Sequence, residues 1–274
     1  MGQDSANHAQ RAEEYSVDMD KLPLTDELKS FARSAVSAVE GALLIARIVR
    51  ADTDVEWCRG ELRRLAGEAG DGVAPAELVE YLRAQGFAGA DAYYEADNSS
   101  LECVLRTRRG IPTTLAMVVV GTGECLGMTA TGINFPGHFM VSLAGRLFDP
   151  FNMQPIDAAR RRTWLTWSGA DEEIAFESAT PVDVVLRMLN NLRALARSRG
   201  DHEAALELTT YQLIVSPEPL SIHVDRAELW AALGAMEMAR RELEWAITLA
   251  PDAALRARLE ERLLGLDASG PTLH

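Results

Sequence analysis

The chain has 274 residues, 47% of them hydrophobic, enough to bury a substantial core in one large domain or two smaller ones. Its 41 acidic residues against 27 basic ones leave a formal charge of −14, which repels phosphate backbones and anionic lipid. Nucleic acid and the membrane surface are therefore excluded as main partners, leaving proteins, peptides and small molecules. The longest apolar run, residues 115–120, is followed by Gly121 and Gly123 and falls far short of the ~18–20 residues that span a bilayer.

Residues 1–30 are polar and charged, with too few apolar positions to define a buried face, and read as a flexible tail without the apolar stretch of a secretion signal. From residue 31 to 92 the pattern is helical. Val36, Val39, Leu43 and Ala46 recur at three- and four-residue steps, and Leu62, Leu65 and Ala69 repeat the spacing. Pro75 opens another helix through Leu78, Val79 and Leu82 that stops at Gly86.

Between residues 93 and 170 the character changes to helix plus antiparallel strands. Asn98-Ser99-Ser100 caps a short helix carrying Leu101, Val104 and Leu105, which ends in Arg106, Arg108 and Arg109. Pro112 starts a second helix through Val120, apolar nearly all round and therefore central. Residues 129–135, 139–143 and 146–148 are short β-type runs separated by glycines, giving an α+β domain over residues 31–180.

Residues 181–268 are helical and repetitive. Gly200-Asp201 recurs as Gly234-Ala235, Ala205 as Ala239, Tyr211 as Trp245 and Pro217 as Pro251, each pair 34 residues apart. That is the tetratricopeptide period, in which small residues let paired helices approach closely. Residues 252–264 read as the capping helix of the array.

The segment richest in possible chemistry runs from Tyr93 to Asn152. It contains Tyr93-Tyr94-Glu95-Ala96-Asp97-Asn98-Ser99-Ser100-Leu101, Arg108-Arg109-Gly110-Ile111-Pro112-Thr113-Thr114-Leu115, Asn134-Phe135-Pro136-Gly137-His138-Phe139 and Phe148-Asp149-Pro150-Phe151-Asn152. Followed by such repeats, these motifs resemble the SirB-type transglutaminase-like family. The resemblance implies a papain-like core in which a Cys at a helix N-terminus is paired with a His and an Asp on the following strands. Helix dipole and imidazolium favour the thiolate there, and backbone N–H groups stabilise an oxyanion. His138 and Asp149 match the second and third members. The Cys position falls at or near Pro112, which has neither a nucleophile nor an N–H.

Two functions stay open on this pattern. One is a noncatalytic protein- or peptide-binding module, built on a degenerate domain that keeps a cleft at His138 and Asp149, with the repeats carrying the interaction. The other is an acyl transferase or amidohydrolase using His138 and Asp149 with an atypical nucleophile, Cys103, Thr113 or a bound water. On the first repeat helix Arg187, Asn190, Asn191 and Arg193 form a candidate peptide-carboxylate clamp. Trp164 and Trp167 read as a packed joint between the domains, and the run Arg160 to Arg162 as a solvated or acid-paired surface. Cys58, Cys103 and Cys125 have neither metal-ligand nor disulfide-framework spacing, so no metal, no cofactor and a reducing cytoplasm are expected.

Overall fold

The computed structural model describes residues 22–34, 37–91, 95–169, 171–216 and 219–268. These divide into two compact units, Arg33–Asn191 and the chain up to Ala32 together with Leu192 onward.

In the first unit, α2 (Ala38–Val49) starts at Ser37, whose hydroxyl accepts from Glu40 N–H at 3.4 Å, and α3 (Val55–Ala69) starts at Asp54, whose carboxylate accepts from Trp57 N–H at 2.9 Å. α4 (Pro75–Ala84) follows with proline in its first turn. After α5 (Leu101–Thr107), Arg108 adopts a left-handed conformation with φ 64° and ends the helix. Arg109, expected to finish that helix, instead forms β2 with Gly110 and pairs in parallel with β1 (Ala88–Gly89).

α6 (Pro112–Cys125) is the central helix, buried continuously from Thr113 to Gly123 and packed against α2, α3, α5 and the sheet. It continues past Val120, where the sequence pattern ended, because Gly121 and Gly123 admit close neighbours. A Cβ there would stand 2.8 Å from Leu62 Cδ1 and 2.8 Å from Leu143 Cδ2, respectively. The sheet is a four-stranded antiparallel meander, β3 (Ala130–Ile133), β4 (Met140–Leu143), β5 (Arg146–Asp149) and β6 (Gln154–Pro155), with Ile133 opposite Met140 and Val141 opposite Phe148. The fold is thus α+β, with α7 (Ala158–Ser168), the short α8 (Glu172–Ala175) and α9 (Pro181–Ser198) completing the chain into the repeats.

Near α3, Glu61 is buried and bound by Arg64 (Nε to Oε2, 2.7 Å) and Arg108 (Nη2 to Oε1, 2.6 Å). Arg64, and then Arg108, outweigh burial and hold the Glu61 carboxyl at about 2.

The second unit contains α10 (His202–Val215), α11 (Leu220–Ala232), α12 (Met236–Leu249) and α13 (Ala253–Ala268). The repeat landmarks have matching geometry: Asp201 N–H reaches back to Ala196 O at 3.0 Å, and Ala235 N–H to Trp230 O at 2.9 Å. Ala205 and Ala239 are fully buried, where only a small side chain fits between paired helices. Pro217 lies outside the described residues. Between the helices Glu242 is buried and accepts from Arg226 Nε at 2.6 Å and pairs with His223 Nδ1 at 2.8 Å, while Arg226 Nη1 reaches Thr209 and Thr210. Burial opposes its ionisation, but His223 and Arg226 together hold the Glu242 carboxyl below its ordinary value.

The stretch ending the expected tail is also ordered. α1 (Thr25–Ser34) buries Thr25, Leu28 and Phe31. Two large apolar residues three apart make a seam too narrow to register as an amphipathic pattern, yet it is covered in the unit that α1 shares with the repeats. Leu22, together with Leu206, Thr210, Arg226 and Trp230, lines a cavity of about 470 Å³ in that unit.

Candidate binding cavity

His138 is presented by a tight turn between β3 and β4. Phe135 O accepts from His138 N–H at 3.0 Å, with Pro136 and then Gly137 (φ 77°) at the central positions, the requirements of a type II turn. The Phe135–Pro136 bond is trans, since no peptide bond among the described residues is cis. The imidazole stacks on Trp164, with centroids 4.5 Å apart and planes 15° apart, and lies near Phe135 and Trp167. Among the described residues its ring nitrogens make no hydrogen bond.

Asp149 ends β5 and is 8% exposed. Its Oδ1 accepts from Phe151 N–H at 3.0 Å, and its Oδ2 accepts from Asn152 Nδ2 at 2.8 Å and Arg160 Nη2 at 2.7 Å. The Asp149-Pro150-Phe151-Asn152 motif is therefore a turn closed on its own carboxylate. Phe151 anchors it: Phe151 O accepts from Gly89 N–H at 2.8 Å, and the Phe151 ring occupies the place a side chain at position 89 would take.

Both residues line one cavity of about 280 Å³ at the N-terminus of α6, together with Pro112 and Thr113. His138, Asp149 and Thr113 are thus brought together, but Asp149 is bonded to Arg160 and Asn152, not to the imidazole. Thr113 is 2% exposed, and its hydroxyl accepts from Asn191 Nδ2 at 3.5 Å.

Cys103 is not brought to this cavity. Its N–H donates to Ser100 Oγ in the first turn of α5, and burial pushes its thiol up. Burial, with Glu102 adding, pushes Cys58 up to about 12, and partial desolvation raises Cys125.

The four residues expected to act as one clamp on α9 divide by helical period. Arg187 and Asn191, four apart, both line the cavity, and Arg187 Nη1 donates to Asn134 Oδ1 at 2.7 Å. Arg193 and Arg197, also four apart, turn to the repeats and pair with Asp225 at 2.5 and 3.5 Å. Asn190 is exposed and does not line the cavity.

Arg160, Trp164 and Asn152 are cavity residues that sequence reasoning did not assign to the site. α7 has no fully buried residue, and its N-cap Asp157 accepts from Arg160 N–H at 2.7 Å. Arg160, Trp164 and Trp167 follow at steps of four and three, so one helical face carries a cation and two indoles; this spacing was a readable signal. Arg160 stacks 4.7 Å from the Trp164 centroid, while Trp167 is 69% exposed beside His138. The two tryptophans wall and flank the cavity, correcting their reading as an interdomain joint. Arg160 and Arg161 are acid-paired, with Asp149 and Glu172 respectively.

Comparison with known proteins follows the same division of the chain. Residues 56–190 match the transglutaminase-like superfamily, and residues 192–264 match the tetratricopeptide repeat. The chain has a transglutaminase-like domain followed by tetratricopeptide repeats. Its relatives include Protein SirB1 of Salmonella typhimurium, 24% identical over 82% of this chain and 91% of that one. The UPF0162 protein of Vibrio cholerae is 28% identical over 88% of this chain and 96% of its own length, and that of Pseudomonas aeruginosa is 29% identical over 68% and 72%. No solved structure matches the chain. Tetratricopeptide repeats as a class mediate protein–protein contacts, and no helix among the described residues is long and apolar enough to cross a membrane.

Proposed function

We propose that the protein is a noncatalytic protein- or peptide-binding module, in which a degenerate transglutaminase-like domain keeps the cavity at His138 and Asp149 and the repeats hold the partner. The observation that carries this reading is the replacement of catalytic contacts by structural ones. Proline opens α6 at the position the family resemblance gives to the nucleophile, Asp149 is engaged by Arg160 and Asn152, and the His138 ring stacks on Trp164. The raised thiols of Cys58, Cys103 and Cys125 support it further. Their free state suits the reducing cytoplasm in which we place the protein.

The full chain is to be incubated with a glutamine peptide plus a primary amine, and separately with an activated ester. Release at the buffer rate, unchanged by His138→Ala, is expected. One observation favours a second reading: Thr113 shares the cavity with His138. A Thr-dependent acyl transferase predicts turnover with a pH profile set by His138 and abolished by His138→Ala, and that result would replace the binding reading.

A further inference from the structure

The cavity of about 470 Å³ in the repeat unit is walled by one face each of α10 and α11, with Leu22 beside them. Its one cation is satisfied from within the fold. Arg226, on α11, is 3% exposed and gives Nε to Glu242 at 2.6 Å and Nη1 to Thr210 at 2.6 Å. Its acids are not satisfied in this way. Glu203 and Glu207 are exposed and four residues apart on α10, a helix without a lysine or arginine, so two like charges stand as neighbours and repel. The Tyr211 hydroxyl hydrogen-bonds Glu207, but a neutral donor leaves the charge in place. Among the described residues neither carboxylate has a cationic partner, whereas Glu61, Glu102, Glu228 and Glu242 each hold an arginine. Glu203 lies in the first turn, where the helix dipole favours an acid; Glu207, a turn further on, has no such support. Beside the acids the wall is apolar, made by Leu22, Leu206, the Trp230 indole and Leu233, the last 37% exposed.

We propose that this cavity docks a basic, apolar peptide segment of a partner protein, with a lysine or arginine at Glu203 and Glu207 and a neighbouring leucine-sized side chain against Trp230 and Leu233. A cation between the two carboxylates relieves their repulsion. A metal ion is a poorer match, because no group of three or more potential ligands occurs among the described residues. A free polyamine would meet the acids and leave the apolar wall bare. Exposed ion pairs are weak by themselves, so burial of that wall has to supply much of the affinity, and a peptide brings both. The inference rests on reading the repeats as the part that holds a partner, and it names that partner's chemistry.

The test uses the full chain labelled with ¹⁵N-tryptophan, whose five indoles report separately on the two units. Trp230 lines this cavity and Trp164 the one at His138. The probe is the acetylated, amidated peptide Leu-Lys-Ala-Leu-Lys. It is compared with counterparts carrying glutamine or glutamate for both lysines, with one carrying alanine for both leucines, and with spermidine. A saturable shift of Trp230, with Trp164 and Trp167 unmoved, is expected for the lysine peptide, about fivefold or more tighter than for any comparison at low salt. The double substitution Glu203→Gln with Glu207→Gln removes the preference for lysine over glutamine, and Glu261→Gln, exposed on α13, leaves it unchanged. Equal or tighter binding of the glutamine, glutamate or alanine peptide or of spermidine, or no saturable shift of Trp230, would overturn the assignment. Shifts confined to Trp164 and Trp167 would also overturn it, by moving the peptide to the other cavity, while leaving the binding reading in place. Turnover in the glutamine-peptide assay, lost in His138→Ala, would overturn that reading instead. The lysine–glutamine comparison needs only the unmodified chain, so a variant that fails to fold does not blunt the test.

Discussion

Thiol chemistry is the clearest point at which the two functions part, and the structure sets its scale. Cys58 is fully buried, and its thiol is raised from 9.0 to about 12. Three units lower the thiolate fraction about a thousandfold near neutral pH, and only the thiolate attacks an alkylating agent. Its alkylation in the native protein should therefore proceed through opening of the fold, at a rate that follows unfolding. Cys103 and Cys125 are raised in the same direction, so their rates should climb only as the solution becomes alkaline. The assay is iodoacetamide labelling from pH 6 to 10, resolved by peptide mass spectrometry, on the native chain and on His138→Ala. All three profiles should be unaltered by the substitution, because none of these cysteines lines the cavity with His138. Rapid labelling of any cysteine below pH 8 that disappears in His138→Ala would refute the reasoning.

Two further outcomes concern the scaffold of the site. The Glu61 carboxyl sits at about 2 in the folded protein against 4.5 for its reference value, so its contribution is complete above pH 4.5 and is lost as the pH falls toward 2. That shift corresponds to at most about 3 kcal/mol, reduced to about 2 because Arg64 is 41% exposed. Urea denaturation at pH 3 and pH 7 should show Glu61→Gln with a smaller pH dependence than the native chain, and equal dependence would discount the ion pair. At Gly89 an added Cβ would lie 2.1 Å from Phe151 Cζ, so Gly89→Ala must displace the ring that anchors the Asp149 turn. A loss of about 1–3 kcal/mol is expected, together with movement of the Trp164 indole resonance. An unchanged urea midpoint and spectrum would show that the turn does not depend on that contact.

How much was legible from the sequence follows from whether the signal was local. The Pro136-Gly137 pair specifies a turn by its own backbone preferences, so the presentation of His138 could be read directly. The repeat period likewise rests on small residues at fixed spacing, and Ala205 and Ala239 are buried where it puts them. What Asp149 bonds to could not be read in this way, because Arg160 comes from another element and competes with His138 for the same carboxylate. Arg187 and Arg193 differ by six positions, which on a helix turns them to different neighbours; grouping them by sequence nearness ignored the 3.6-residue period. The seam of α1 was missed because Leu28 and Phe31 acquire meaning only beside surface contributed by the far end of the chain.

That last arrangement bears on how the molecule is made. α1 is synthesised before residues 33–191, yet the rest of its unit begins only at Leu192, after that whole stretch. Helical repeats ordinarily fold through neighbouring contacts and need no distant segment. Here segments of very long sequence separation complete the unit, so Leu28 and Phe31 wait as exposed apolar residues until the chain beyond Leu192 has been made. Trimming the chain at residue 33, or expressing residues 192–274 alone, removes one part of that unit. The repeat unit is then left with an uncovered apolar strip and, with it, a tendency to self-associate.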